Sequence, residues 1–176
     1  MVSQAAGQAL ATNPPSALRI CRMLHILPAR MPSEAPLVRE LFREYLEEIG
    51  IDLAFQGFDE EVASLPGKYA PPSGRLLLGW DDHSVLGCVA LREIDSQVCE
   101  IKRLYVRPRA RARHMGRALA ERAMQEARAA GYARVCLDTL PGMVAARRLY
   151  ESLGFVPIEP YVFNPLEGAI FLGRGL

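Results

Sequence analysis

The chain has 176 residues, of which 50% are apolar and 23% are charged, and its formal net charge is +1 at pH 7. This length and composition are typical of one folded domain and exclude an intrinsically disordered chain. Balanced charge gives no whole-protein field that would collect nucleic acid or an anionic membrane, so any charge argument must be local.

The N-terminal segment differs in composition from the rest of the chain. Residues 1–22 mix Ala, Gln, Asn, Pro and Ser without a continuous apolar stretch, which is unlike a secretory signal. We expect a disordered extension here, or an upstream start with Met23 as the working initiator, and one domain over residues 23–176. No apolar run approaches the roughly 20 residues that span a bilayer, so we expect no membrane partner.

Cysteine and histidine spacing bears on the compartment and on metals. The four cysteines form no C-x-x-C pair, and Cys88, Cys99 and Cys136 lie in apolar, strand-like runs where a free thiol packs as a small hydrophobe. The three histidines are far apart in sequence and lack the spacing of a zinc site. We therefore predict a cytoplasmic protein without a metal.

The N-terminal half predicts a strand, a long helix and a loop-rich insertion. Leu24–Pro28 is strand-like, and apolar residues at helical spacing predict a helix from Pro32 to Gly50. Residues 51–74 are rich in Gly and Pro around a short helix at Asp59–Leu65, and such segments tend to carry specificity. Three runs separated by Asp-rich turns then predict an antiparallel meander: Arg75–Trp80, Val85–Ile94 and Val98–Val106.

The C-terminal half alternates helices and strands. A helix from Met115 to Ala130 ends at Gly131, and a second helix over Val144–Leu153 ends at Gly154. The predicted strands of this half are Ala133–Leu140, Phe155–Ile158 and Ala169–Leu172. The order predicts an α+β fold, with a mixed, mostly antiparallel central sheet and helices on both faces.

A basic loop joins the third strand of the meander to the longest helix. Val106 is followed by Arg107–Arg113, and the helix opens near Met115. A strand that ends in a basic loop and becomes a helix presents free N–H groups and a positive dipole end, which is a site for an anion such as a pyrophosphate. The alternative is a solvated, basic helix start without a ligand.

Two motifs in this half resemble the GNAT superfamily of acetyltransferases. The first is similar to the acetyl-CoA signature V-x-P-x-x-[QR]-x-x-G-x-[GA], with Val106, Pro108, Arg111 and Gly116 in register and His114 in place of the first glycine. At that position, either the loop shifts slightly or the imidazole joins the phosphate contacts.

The second motif, at residues 146–155, is similar to the family block A-x-x-L-Y-x-x-x-G-F. Met143 stands where an asparagine is common, so a side-chain contact to the pantetheine arm is expected to be missing. The resemblance covers about residues 24–172, strongly from Glu100 onward and weakly before Leu76, and points to a small-molecule-type branch.

The resemblance implies acetyl-CoA as co-substrate and a set of residues that bind it. Leu104 and Val106 are expected to offer mainly backbone groups to the pantetheine arm. The full predicted set is Leu104, Tyr105, Val106, Arg111, Ala112, Arg113, His114, Met115, Gly116, Arg117 and Ala118.

Two residues carry the predicted chemistry. N-acetylation needs a neutral amine, and at pH 7 only about one part in 2,500 of a lysine-like amine is neutral. Glu100 lies at the register where the family often carries a base, and alternation would place Leu104 and Val106 on its face. Apolar neighbours would raise the pKa of such a carboxylate toward neutrality. The alternative is that Glu100 pairs with Lys102 or an arginine of a neighbouring strand.

The second predicted catalytic residue is Tyr150, which matches the tyrosine that protonates the departing thiolate in many members of the family. Its position beside Leu149 and Leu153 is also that of a core aromatic. The sequence alone therefore does not decide whether Glu100 and Tyr150 have catalytic or structural roles.

The resemblance places the acceptor cleft between the insertion and the C-terminal tail. The predicted acceptor residues are Phe55, Gln56, Phe58, Tyr69, Tyr161 and Asn164, although each of these aromatics has the alternative of covering the sheet. Aromatic and amide groups favour a small polar or amino-acid-like amine over a long peptide.

Three further questions concern alternative functions and partners. A non-catalytic, acyl-CoA-binding regulatory module is the alternative function, but it would not need Glu100 and Tyr150. Nucleic-acid binding is not expected, because the arginine run is short and has no interleaved aromatics apart from Tyr105. The oligomeric state is left open, with a homodimer as one option.

Overall fold

The computed structural model of the protein describes residues 24–82 and 84–176. The predicted N-terminal extension, residues 1–22, lies outside the described residues. No helix in the described ranges is long and apolar enough to cross a membrane.

A seven-stranded sheet forms the centre of the molecule, in the order β1-β2-β3-β4-β5-β7-β6. Every neighbouring pair is antiparallel except β4 and β5, which are parallel. The strands are β1 His25–Pro28, β2 Arg75–Trp80, β3 Val85–Glu93, β4 Val98–Val106, β5 Arg134–Thr139, β6 Val156–Pro157 and β7 Ile170–Gly175. This architecture confirms the predicted α+β fold and the antiparallel meander of β2, β3 and β4.

In the described residues, four α-helices cover the sheet: α1 Ala35–Ile49, α2 Phe58–Ala63, α3 Met115–Ala129 and α4 Val144–Ser152. A 3-10 helix over Pro108–Arg113 joins β4 to α3. Gly50 ends α1 in the left-handed conformation (φ 61°) and donates its backbone N–H to the carbonyl of Leu46, as the sequence predicts for a C-terminal glycine. The predicted helices are all present, with ends that differ by a few residues.

Period-two alternation in the strands builds an apolar core on each face of the sheet. In β2, Leu77 packs under α3 with Leu119, whereas Leu76 and Leu78 pack under α1. The predicted helices on both faces are thus confirmed.

Three cysteines are part of these cores. Cys88, Cys99 and Cys136 are buried and free. Burial raises the pKa of each thiol to about 12, so they pack as small neutral groups, as predicted.

A bulge in β4 changes which face its last residues occupy. Cys88 pairs with Tyr105 and Ala90 pairs with Lys102, so two residues of β4 stand opposite one of β3, and Arg103 adopts a φ of 54°. One extra residue reverses the side-chain alternation beyond it. The expectation that Leu104 and Val106 share a face with Glu100 is therefore wrong, since both pack on the α3 side with Ile101.

Candidate active site

The site is the cleft that opens where β4 and β5 separate. These strands pair only at Val98 with Arg134, Cys99 with Val135 and Glu100 with Cys136. Beyond these pairs, β4 is bonded to β3 alone, and its edge toward β5 has no strand partner in the part of the chain that the structure describes. An outer cavity of about 790 Å³ and an inner one of about 50 Å³ occupy the gap. Both cavities are lined by Tyr45, Ile49, Leu104, Leu140, Met143 and Leu166, so they form one cleft.

Five of the predicted co-substrate residues line the outer cavity: Leu104, Tyr105, Val106, Arg111 and Gly116. A Cβ built on Gly116 would lie 3.7 Å from both Val106 Cγ2 and Leu149 Cδ2, which is ordinary contact. The packing of the protein itself does not require glycine here. Its missing side chain instead leaves the first turn of α3 open to the cleft.

The other predicted co-substrate residues do not line either cavity. Met115 is fully buried, beneath Gly79, where a Cβ would lie 2.5 Å from the methionine sulfur. Arg113 forms an ion pair with Asp81, and Arg117 donates to the hydroxyl of Ser152. Ala118 is partly buried in α3, and Ala112 belongs to the 3-10 helix that precedes α3.

His114 occupies the turn between the 3-10 helix and α3. It is exposed and adopts a left-handed conformation, with φ 58° and ψ 13°. Glycine takes this conformation without steric cost, whereas a residue with a Cβ does not. The family's glycine at this position thus corresponds to a backbone requirement that His114 meets under strain.

Two arginines of the basic loop, Arg107 and Arg111, are held by acidic residues of α1. Arg107 donates from Nε to Glu44 Oε2 at 2.9 Å and also pairs with Glu40. Hydrogen bonds and the charge of Arg107 lower the pKa of Glu44, against the effect of burial. Arg111 pairs with Glu48 and donates to the Val106 carbonyl at 3.0 Å. Of these arginines, Arg111 is the one that lines the outer cavity.

The outer cavity fits the acetyl-CoA that the resemblance predicts. The first-turn N–H groups of α3 receive no side-chain cap, and Arg111 supplies a guanidinium beside them, which together suit a phosphate. The opposite wall is mainly apolar, from Leu140 to Ala146 and at Leu149, which suits the pantetheine arm. The residues therefore provide a positively charged end that suits a phosphate and an apolar channel that leads inward.

The inner cavity is more polar than the outer one. Lys102 Nζ lies 3.0 Å from Asp138 Oδ1, and Asn164 Nδ2 donates to Asp138 Oδ2 at 2.8 Å. Arg103 donates from Nη1 to Gln56 Oε1 at 3.0 Å and pairs with the buried Glu61. Except for Glu61, all of these side chains line the cavity. Charged and amide groups thus surround the inner end of the cleft.

Tyr150 stands at the inner end of the cleft. Its ring packs edge-on against Phe155, with ring centroids 5.6 Å apart, and the residue is 6% exposed. It lines the inner cavity, and no hydrogen-bond partner for its hydroxyl occurs among the described residues. Burial raises the pKa of Tyr150 above its usual value, and Tyr45 and Asp138 add to the shift. The phenol is therefore protonated at neutral pH and can donate.

Glu100 is fully buried and lines neither cavity. Its Oε2 accepts from Arg92 Nε at 2.5 Å, and its Oε1 accepts from the Tyr161 hydroxyl at 2.7 Å. Lys102 Nζ lies 3.5 Å from the same Oε1. The sequence left open the alternative that Glu100 pairs with Lys102 or with an arginine of a neighbouring strand, and the structure contains both pairs. The role of Glu100 as base stays a prediction.

The predicted acceptor residues divide into two groups. Gln56 and Asn164 line the inner cavity. Tyr69 is 1% exposed and packs edge-on against Phe42, and its hydroxyl has no hydrogen-bond partner among the described residues. Phe55 and Phe58 pack in the core under α1, and Tyr161 packs against Phe171 and bonds to Glu100.

Tyr45, Lys102 and Asp138 are among the cleft residues for which the sequence predicted no part in the site. The signal for Asp138 is a carboxylate inside the apolar strand β5, at a position that period-two alternation puts on the face opposite Leu137. Lys102 carried a similar signal in β4. Tyr45 gave no such signal, because it continues the apolar face of α1.

Comparison with known proteins agrees with this geometry. The profile of the acetyltransferase (GNAT) family matches residues 36–155. An uncharacterized N-acetyltransferase of Schizosaccharomyces pombe is 39% identical over 151 residues, which are 85% of this chain and 93% of that protein. The N-acetylaspartate synthetase of mouse is 39% identical over 98 residues, 54% of this chain and 32% of that protein.

A solved structure shares the fold. The putative acetyltransferase YncA of Salmonella typhimurium, determined with its cofactor acetyl-CoA, aligns with a TM-score of 0.63 over 86% of this chain and 93% of that one. The two sequences are 18% identical.

Proposed function

Because this chain belongs to the GNAT family of acetyltransferases, which use acetyl-CoA, we propose that it acetylates a primary amine of a small, amino-acid-like acceptor. The amine attacks the acetyl group directly while both substrates are bound. The observation that carries this proposal is the cleft between β4 and β5. It joins an anion-binding outer end, at Arg111 and Gly116, to a polar inner cavity at Tyr150.

The residues of the outer cavity would hold the co-substrate. Arg111 and the N–H groups of α3 bind its phosphates, and the free edge of β4 at Leu104 and Val106 runs beside its pantetheine arm. When bound, acetyl-CoA supplies the activated acetyl thioester. Holding both reactants in line is by itself worth several kcal/mol, of order 7 or more in well-oriented systems.

Size and polarity of the inner cavity support a small acceptor. A volume of about 50 Å³ holds roughly three to five water-sized groups, which suits an amine on a short chain. Lys102, Arg103, Asp138 and Asn164 provide charges of both signs around it. The similarity to a synthetase named for N-acetylaspartate supports an amino acid as the acceptor class.

Tyr150 is the proposed proton donor to the leaving thiolate. Tyr150 lines the inner cavity, and its raised pKa keeps the proton in place at neutral pH. Glu100, which the sequence predicts as the base, lines neither cavity, and its carboxylate is linked to the cleft through Lys102 Nζ at 3.5 Å. A cytoplasmic location also stays a prediction, and a homodimer remains an open option.

A screen of primary amines with acetyl-CoA, read by thiol release and by the mass of the product, tests the proposal. We expect acetyl transfer to at least one small amine and a loss of kcat in Tyr150→Phe. CoA binding without transfer to any amine would instead favour the alternative, an acyl-CoA-binding regulatory module.

A further inference from the structure

Asp138 is the one carboxylate that lines the inner cavity in the described part of the chain. It lies on β5 two residues beyond Cys136, the last residue of that strand to pair with β4. Its side chain is 10% exposed, compared with 0% for Glu100. An amine that enters the cavity therefore meets Asp138, whereas Glu100 is enclosed by protein groups.

The contacts of Asp138 leave room for a ligand. Oδ1 accepts from Lys102 Nζ at 3.0 Å, and Oδ2 accepts from Asn164 Nδ2 at 2.8 Å. A carboxylate offers about four acceptor positions, so about two remain for N–H donors from a substrate. Lys102 and Asn164 also fix the plane of the carboxylate, because each oxygen is held by one of them.

We infer that Asp138 is the group that binds the reacting ammonium of the acceptor and removes its proton. This inference rests on the proposed function and names the residue that touches the nucleophile. One proton passes from the ammonium to Asp138, and the freed lone pair forms the N–C bond to the acetyl carbon. The C–S bond breaks, the thiolate takes a proton from Tyr150, the second amine proton restores Tyr150, and the proton on Asp138 is released to solvent.

The surrounding charges explain the buried position of Glu100. Glu100 Oε1 lies 3.5 Å from Lys102 Nζ, and the Glu100 carboxylate accepts hydrogen bonds from Arg92 and Tyr161. The chain Arg92, Glu100, Lys102 and Asp138 thus runs from β3 through β4 to β5. In this arrangement Glu100 is a positioning residue, because it acts on the substrate only through Lys102 and Asp138.

The test begins with the best acceptor found in an amine screen and the isosteric variant Asp138→Asn. We expect kcat/KM for the acceptor to fall at least a hundredfold, while the KM for acetyl-CoA stays within about threefold of wild type. Asp138→Glu should recover part of the loss. Glu100→Gln is the matched variant of the neighbouring carboxylate, and it should lose less than Asp138→Asn.

A measurement on the wild-type protein does not depend on the folding of any variant. The analogue of the acceptor in which a hydroxyl replaces the amine should bind at least tenfold more weakly than the amine, since it brings no positive charge to Asp138. Equal binding of the two, or an Asp138→Asn variant within threefold of wild type, would overturn the assignment. A wild-type protein that binds acetyl-CoA and acetylates no amine would instead overturn the proposed function.

Discussion

Replacing His114 with glycine should stabilise the protein. His114 holds φ at 58°, and a left-handed conformation costs a residue with a Cβ about 1–2 kcal/mol. Glycine removes this cost but loses about 0.5–1 kcal/mol through the greater freedom of the unfolded chain. The free energy of unfolding should therefore rise by up to about 1.5 kcal/mol. For a chain of this size, each 1 kcal/mol corresponds to an increase in Tm of about 2–4 °C.

His114→Ala is the matched control, because alanine loses the ring and keeps the Cβ. Thermal and urea unfolding of both variants should show a gain in stability for glycine only. The exposed imidazole forms no part of the cavity lining, so the affinity for CoA should be equal or improved in His114→Gly. A glycine variant no more stable than the alanine variant would refute the strain argument. A tenfold loss of CoA affinity in both variants, about 1.4 kcal/mol, would show that the imidazole contacts phosphate.

Three further substitutions test the site and its support. Tyr150→Phe should lower kcat by about 10² or more, and an unchanged kcat would remove Tyr150 from the mechanism. Because the pKa of Tyr150 is raised, the wild-type pH profile should show no loss of this proton donor below about pH 10. Glu48→Gln should tighten CoA binding up to about fivefold, because it removes the ion pair that holds Arg111. A half-exposed ion pair of this kind is worth about 0.2–1 kcal/mol. Weaker binding of CoA in calorimetry would contradict this prediction. Glu61→Gln should cost about 3–5 kcal/mol in urea unfolding by leaving Arg103 buried without its carboxylate. Despite burial, Arg103 and Lys68 lower the pKa of Glu61, so wild type should keep this contribution above about pH 4 and lose it as the pH falls further.

Local patterns in the sequence were sufficient to predict the secondary structure. Strand-like runs bounded by turn residues identified β2 and β3, and the glycine at position 50 marked the end of α1, because these signals depend on neighbours along the chain. The bulge at Arg103 could not be predicted in this way. It depends on how β4 pairs with β3 and on the ion pair of Arg103 with Glu61, 42 residues away.

The site was predicted best where backbone geometry decides its shape. Gly116 and Arg111 were identified from a motif whose spacing follows the turn into α3, and the structure places both in the outer cavity. The contacts of the neighbouring arginines were harder to predict, because a long side chain can reach partners that are distant in sequence. Glu40, Glu44 and Glu48 of α1 take up Arg107 and Arg111, a contact that the sequence does not reveal.

Titration calorimetry of CoA against wild type and Gly116→Val tests whether the outer cavity is the site that binds CoA. The Cβ of a valine at this position would make ordinary contacts with Val106 and Leu149, and its methyl groups would narrow the route from the outer cavity to the first turn of α3. We predict measurable binding and a raised Tm for wild type, and a loss of at least tenfold in affinity for the variant at similar stability. The absence of heat and of stabilisation at millimolar CoA, or equal binding by the two proteins, would contradict the account of the cleft between β4 and β5.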